Sequence, residues 1–260
     1  MSALNILHIS DAHIQMTAKE KISEVVGKMI NDVLKVEKEE NIKIDLVCFT
    51  GDLIQRGDKA VDDENQMKIA EEILIDPVLN GLGLEKNKFI IVPGNHEVDV
   101  RKIVKATEKG LLVDSLEDID GNVLDMNEAY LARLDYFYQW IDNYYSDVIK
   151  EKIGYAFLKE IDGKKVGIAC IDSSWRSSGK GGCEKGIMYV GKKQICDLYK
   201  HIKDTDIKIC LMHHPTDWLS DYESRIIERE LSKFDIVLCG HVHENDHKSV
   251  CRQKMKTICS

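Results

Sequence analysis

Asp52 closes the run Val47-Cys48-Phe49-Thr50-Gly51-Asp52. An apolar stretch that stops at Thr-Gly and then a carboxylate reads as a buried strand meeting a tight loop. The acid is then held at the strand's carboxyl end, where α/β sheets bind ligands. The arrangement recurs along the chain. Ile9 leads into Ser10-Asp11-Ala12-His13, and Val92 leads into Pro93-Gly94-Asn95-His96-Glu97. Met212 leads into His213-His214-Pro215, and Cys239 into Gly240-His241-Val242-His243. Imidazole, carboxylate and carboxamide side chains suit divalent cations such as manganese, iron and zinc, and no thiolate is called for. A single D-x-H or H-x-H pattern recurs by chance, whereas clusters at successive strand ends do not. In an extended segment, residues i and i+2 point the same way, so both members of each pattern can reach one point. Asp52 is the candidate for a carboxylate shared by two cations.

The elements that position these residues follow from periodicity. Leu4 to Ile9, Asp45 to Phe49 and Lys88 to Val92 read as strands. Between them, residues 18–40 and 63–79 carry apolar positions at helical spacing with charged outer faces. Asp76-Pro77 and Gly81-Leu82-Gly83 are expected to break or end the second helix. Strand, helix, strand, helix, strand implies parallel βαβ units. Residues 98–152 change the rhythm and read as a helical insertion, with a long helix from Asn127 to about Val148. Its aromatics (Tyr136, Tyr138, Trp140, Tyr145) are expected to pack rather than to stack on substrate. Tyr155 to Ile161 and Lys165 to Ile171 form a β-hairpin around Asp162-Gly163. Residues 176–188 are a flexible loop; Gly179-Lys180-Gly181-Gly182 lacks the spacing of a phosphate loop. Residues 191–203 and 221–231 read as helices. Ile207 to Met212 and Phe234 to Cys239 read as strands, and Lys248 to Cys251 and Lys256 to Cys259 as two short ones. The insertion and the 176–188 loop are expected to line a substrate cleft.

The 260 residues suffice for one α/β domain over the whole chain. The net charge of −9 means the surface as a whole does not attract polyanions, so a nucleic-acid substrate would rely on local or metal-borne charge. Cys48, Cys170, Cys210 and Cys239 fall inside apolar runs and are expected to be buried free thiols. No run approaches a membrane span and no secretory leader is evident, so a cytoplasmic location is expected.

In order, D-x-H, G-D, G-N-H-E, H-H-P and G-H-x-H resemble the calcineurin-like metallophosphoesterase superfamily, and the motifs run from Asp11 to His243. The resemblance implies a four-layer α/β/β/α sandwich of two mixed sheets; periodicity alone gives only α/β. It implies two divalent metal ions, most readily Mn²⁺, with Fe or Zn²⁺ as alternatives. Asp11, His13 and His243 would hold one metal, and Asn95, His213 and His241 the other, with Asp52 between them. His96 would face substrate without binding metal, and Asn95 would also meet substrate. Within His213-His214 the pattern favours His213 as ligand, leaving His214 beside the substrate, in a supporting role or on the surface. His8 is expected to be a hydrogen-bonded core residue.

The implied chemistry is hydrolysis of a phosphoric ester by a hydroxide shared between metals, with His96 assisting the leaving group. The V-P-G-N-H and G-H-x-H pairing resembles the phosphodiesterase branch, whose substrates include cyclic nucleotides, other small diesters and nucleic-acid ends. A DNA-repair-type exonuclease or endonuclease is the nearest alternative. A Ser/Thr protein phosphatase or phosphomonoesterase fits less well, because Gln55 replaces the second Asp of G-D-x-x-D-R-G and Pro93 stands where a phosphate-gripping Arg is placed. A metal-site scaffold that binds a partner without turnover is a further alternative. No stable partner and no membrane contact are expected. Family members continue with closing strands after G-H-x-H, so a further C-terminal region is also expected.

Overall fold

The computed structural model describes residues 3–55, 63–104, 131–178, 181–242, 249–252 and 255–259. Three parallel strands, β1 (Ile6–Ile9), β2 (Leu46–Phe49) and β3 (Phe89–Ile91), form a first sheet in that order. β2 is central and wholly buried, which is why it reads as an unbroken apolar run. A second, seven-stranded sheet runs β4 (Ile149–Lys150), β5 (Tyr155–Ile161), β6 (Lys164–Cys170), β7 (Ile207–Leu211), β8 (Ile236–Cys239), β10 (Met255–Cys259), β9 (Ser249–Arg252). It is mixed: β6, β7, β8 and β10 are parallel neighbours, while β4–β5, β5–β6 and β10–β9 are antiparallel.

Alternation along the second sheet shows which face meets what. Tyr155, Phe157, Val166, Ile168, Cys170, Ile209, Leu211 and Leu238 join the core of the first sheet. Their neighbours Ala156, Ala169, Cys210, Val237 and Cys239 pack instead with Ile195, Leu198, Ile202, Ile227 and Leu231. Those last residues belong to the helices Lys192–Ile202 and Asp221–Leu231. The first sheet carries Lys19–Glu40 and the helical run 63–82 in the same core. Helices, sheet, sheet, helices is therefore the layer order, the four-layer α/β/β/α sandwich of two sheets. Tyr145 donates its hydroxyl to the Phe89 carbonyl at 2.7 Å, and Tyr155 donates to that of Ile91, so phenols from the second layer satisfy backbone of the first.

The hairpin forms at Asp162-Gly163, both with positive φ (50° and 72°), in register Ile161 to Lys164. Asp76-Pro77 does not end the second helix. A π-turn over Glu71–Ile75 lets the Asp76 N–H bond the Glu71 carbonyl, and Pro77 then opens the final piece, Asp76–Leu82, at a position where its missing N–H is tolerated. The helix expected from Asn127 to Val148 is, among the described residues, Asp135–Tyr144; Asn127 lies outside them. Its end turns extended at Tyr145 and continues into β4. Trp140 stacks on Tyr144 at 4.6 Å and Tyr145 tilts against Phe157 at 4.8 Å, so these aromatics are core. Cys48, Cys170, Cys210 and Cys239 are free and buried. Among the described residues no helix is long and apolar enough to cross a membrane.

Candidate metal centre

The carboxyl ends of β1, β2, β3, β7 and β8 converge, and the convergence straddles both sheets rather than the crevice of one. The β1 and β2 loops are zipped beyond their strands: Asp11 N–H donates to Gly51 O at 3.0 Å, His13 N–H to Asp52 O at 3.0 Å and Ile14 N–H to Leu53 O at 2.9 Å. Asp11, His13, Asp52 and His241 all have positive φ (55°, 45°, 56° and 72°). The D-x-H segment is thus not extended, as expected from spacing; its side chains meet because the backbone is held left-handed, a cost of order 1–3 kcal/mol per residue that clusters at functional sites.

Gly51 is required twice over. Its φ is 94°, and a Cβ there would lie 2.5 Å from His213 Nδ1 and 2.8 Å from the Gly94 backbone. Gly51→Ala is expected to destabilise the fold by about 3–5 kcal/mol, combining backbone strain with overpacking. Urea denaturation of the metal-free chain measures this; a loss under about 1 kcal/mol would mean the loops do not close this tightly.

Asp52 is buried. Its Oδ1 accepts the His96 N–H at 2.8 Å, and its Oδ2 lies 3.4 Å from His213 Nε2 and 3.9 Å from His13 Nε2. Asp11 Oδ2 accepts the His241 N–H at 2.9 Å and the Ser10 hydroxyl, and Asp11 Oδ1 is 3.8 Å from His13 Nε2. His213 is buried at the centre. Its Nδ1 bonds the Thr50 carbonyl at 2.7 Å, and a carbonyl can only accept, so Nδ1 carries the proton. Nε2 then faces Asn95 Oδ1 at 3.1 Å and His241 Nδ1 at 3.0 Å. With Nε2 unprotonated, it and Asn95 Oδ1 are two acceptors facing one another, and a cation reconciles them. The donor set is imidazole, carboxylate and carboxamide, with the ring orientation of His213 fixed by its second nitrogen, as in metal sites generally. These residues fit a divalent metal.

In the metal-free chain a proton serves instead. Burial alone would push the His213 ring down, but the Asp52 carboxylate overcomes it and raises the pKa to about 9. For Asp52, burial opposes and the His213 and His96 imidazoles prevail, holding the carboxyl well below its usual range. The raised imidazole stabilises the metal-free fold fully below its ordinary value of about 6.5 and stops doing so as pH rises through about 9. Metal and proton compete for one nitrogen. Metal affinity is accordingly expected to rise with pH up to about 9, with roughly one proton released at neutral pH. Calorimetry in buffers of different ionisation enthalpy counts that proton; uptake or no exchange would contradict the assignment.

Among the described residues, potential ligand atoms fall into three overlapping groups: His13, Asp52, His96; Asp11, Asp52, His213; and His213, His214, His241. Asp11, His13, Asp52, His96, His213 and His241 fall within these groups, and Asn95 Oδ1 lies 3.1 Å from His213 Nε2. His243 lies outside the described residues. His214 is buried with Nδ1 at 3.0 Å from Ser173 Oγ, and its N–H donates to the same hydroxyl at 2.9 Å. Burial, then the neighbouring imidazoles His213 and His241, drive its pKa well down, so it is a neutral wall behind His213 rather than a surface group. His8 bonds Thr50 Oγ1 at 2.8 Å, as expected, but it is half-buried rather than in the core.

Glu97 is the residue that reading by motif left without a task. Its buried carboxylate accepts three backbone N–H groups: Asp52 at 2.9 Å, Ile54 at 3.0 Å and Gly94 at 2.6 Å. It pins the Asp52 loop to the Asn95 loop. Burial, then the Asp52 charge, push it up to about 7 against those donors. The 176–188 segment, expected to be flexible, is tied in its described part: Glu184 accepts from Ser177 Oγ at 2.8 Å and Ser178 N at 2.6 Å, and Arg133 donates to Ser177 O at 2.9 Å.

A family model, calcineurin-like phosphoesterase, matches residues 4–245. The chain belongs to that family, a family of dinuclear metal enzymes. A curated relative, the uncharacterized metallophosphoesterase-like protein YydB of Bacillus subtilis (strain 168), is 23% identical over 260 residues, covering 93% of this chain and 49% of that protein. The chain therefore spans about half the length of the curated relative it matches. Among solved structures, GAP50, the anchor in the inner membrane complex of Plasmodium, is 14% identical with a TM-score of 0.49, covering 98% of this chain and 70% of that one. A putative 5′-nucleotidase from Staphylococcus aureus is 11% identical with a TM-score of 0.48, covering 98% and 48%.

Proposed function

We propose that this chain is a phosphodiesterase in which Asp11 and His13, with His243, hold one divalent cation and Asn95, His213 and His241 a second, Asp52 being shared. The observation that supports it is the convergence of Asn95 Oδ1, His241 Nδ1 and Asp52 Oδ2 on His213 Nε2, at 3.1, 3.0 and 3.4 Å. Mn²⁺ is the proposed metal, Fe or Zn²⁺ being compatible with the same donors. When bound, the paired cations supply Lewis acidity and lower the pKa of a water toward neutrality.

The chain's own residues supply the rest. Asp11 and Asp52 are two carboxylates against two dications, so the loaded site is net positive and draws in a phosphate despite the acidic surface. Buried Asp52, Asn95 and His213 form the floor, and half-exposed His13, His96 and His241 the mouth. His96 is fixed by its N–H to Asp52 and its ring lies 4.4 Å from that of His13, edge to face. It is the proposed donor of a proton to the departing oxygen. Pro93, standing where protein phosphatases of the family place an arginine, favours a singly charged diester over a doubly charged monoester.

The test is Mn²⁺-dependent hydrolysis of bis-p-nitrophenyl phosphate against p-nitrophenyl phosphate. A higher kcat/KM for the diester is expected. Preference for the monoester would overturn the diesterase reading, and faster degradation of single-stranded DNA than of small diesters would replace it with a nuclease. The proposed location is cytoplasmic, and the proposed unit is one catalytic domain spanning the chain.

A further inference from the structure

The structure points to Trp218 as the specificity-determining wall of this site: we infer that its indole receives a planar group, such as a nucleobase, on the ester that stays attached to phosphorus. The inference rests on the phosphodiesterase reading and adds to it the class of substrate.

Trp218 ends the short turn Thr216–Trp218 directly after His213-His214-Pro215. Its backbone is held on both sides. The N–H donates to Pro215 O at 3.0 Å, the carbonyl accepts Gly186 N–H at 2.9 Å, and Leu219 bridges Met188. The indole stands perpendicular to the His241 ring with centroids 4.0 Å apart, and lies 6.2 Å from His214. The other tryptophans are core: Trp175 is 1% and Trp140 8% exposed. Trp218 is half-exposed, at the level of His13, His96 and His241 rather than of the buried floor. A rigidly held indole at the mouth, against a candidate ligand, serves packing poorly and recognition well.

Its position relative to His96 defines which part of a substrate it meets. Contacts run in sequence from His96 to His13, Asp52, His213, His241 and Trp218. His96 thus touches the His13–Asp52 side of the cluster, and Trp218 the His214–His241 side. A diester bound with its leaving oxygen at His96 places its retained ester toward Trp218. Lys185 lies over the indole, Nζ 5.8 Å from the ring centre, and is 57% exposed with Asp217 at 3.6 Å. Such a lysine swings aside from the ring face at little cost and leaves a cation beside an entering nucleotide. Stacking of a base on an aromatic side chain strengthens binding by about 10- to 100-fold.

Two esters with the same leaving group isolate the effect: thymidine 5′-(p-nitrophenyl phosphate) and methyl p-nitrophenyl phosphate, assayed with the Mn²⁺-loaded full chain. Wild type is expected to favour the thymidine ester by about 10- to 100-fold in kcat/KM, chiefly through KM. Trp218→Ala brings the ratio to roughly one, and Trp218→Phe restores most of it, because any aromatic face suffices. The ratio is internally referenced, so damage to His241 or partial loss of metal, which slows both esters, does not imitate the result. A wild-type ratio near one, or a ratio unchanged in Trp218→Ala, overturns the inference. Hydrolysis of neither ester would sink the phosphodiesterase reading instead. Calorimetric binding then decides: thymidine 5′-phosphate tighter than inorganic phosphate, and only with Trp218 present, supports the wall, whereas equal affinities overturn it.

Discussion

Asp52→Asn is expected to cost the chain both cations and about 10³- to 10⁴-fold in diester hydrolysis. The substitution is nearly isosteric, and the amide oxygen can still accept the His96 N–H that Oδ1 receives at 2.8 Å, so the loop has no steric reason to open. What goes is the charge between His13 and His213, whose Nε2 atoms lie 3.9 and 3.4 Å from Oδ2. That charge is the natural counterpart of two dications, and losing metal-borne stabilisation worth several kcal/mol gives a rate loss of this size. A second readout needs no metal. With the carboxylate gone, burial governs His213, and its ring pKa should fall from about 9 to below the ordinary histidine value, which imidazole NMR follows directly. A mutant that kept two metals per chain and wild-type turnover would remove Asp52 from the centre of the account.

His96→Asn should separate binding from chemistry. The backbone N–H that His96 gives to Asp52 survives the change, and metal stoichiometry should remain that of wild type. Hydrolysis of a diester with an alkoxide leaving group should fall by about 10²- to 10⁴-fold, the range of a positioned general acid. Loss on a p-nitrophenyl diester should be much smaller, since that leaving group departs without a proton. The contrast between the two substrates is the diagnostic. Equal losses on both would mean that His96 shapes the site rather than donating a proton, and unchanged turnover on both would take it out of the reaction.

The site was more legible in the sequence than the architecture around it. Metal-binding chemistry restricts residue type, and tight loops restrict it again, so Asp11, His13, Asp52, Asn95, His213 and His241 stand out as short motifs at the ends of apolar runs. Their convergence follows once each run is a strand ending at the same edge. The division into two sheets was not legible from periodicity, because β2 and β7 read alike although they lie in different layers. Which buried strand faces which is settled by tertiary packing, and here the family resemblance supplied what local pattern could not. The π-turn at Glu71–Ile75 leaves no local sequence signal, and Pro77 invited a helix end that the wider turn avoids. Glu97 was visible in G-N-H-E, but its three N–H partners come from two loops some forty residues apart and exist only in the fold. Trp218 likewise gains meaning only when the turn after His213-His214-Pro215 lays it against His241. The extended geometry expected of D-x-H failed for a physical reason: the loop spends backbone strain at Asp11 and His13 to aim both side chains inward.

Anomalous diffraction from a crystal grown with manganese is the most direct check on the central claim. Two peaks about 3.5–4 Å apart are predicted. Asp52 should bridge them, with Asp11 and His13 on one and Asn95, His213 and His241 on the other. A solitary peak, none at all, or density away from Asp52 would contradict it.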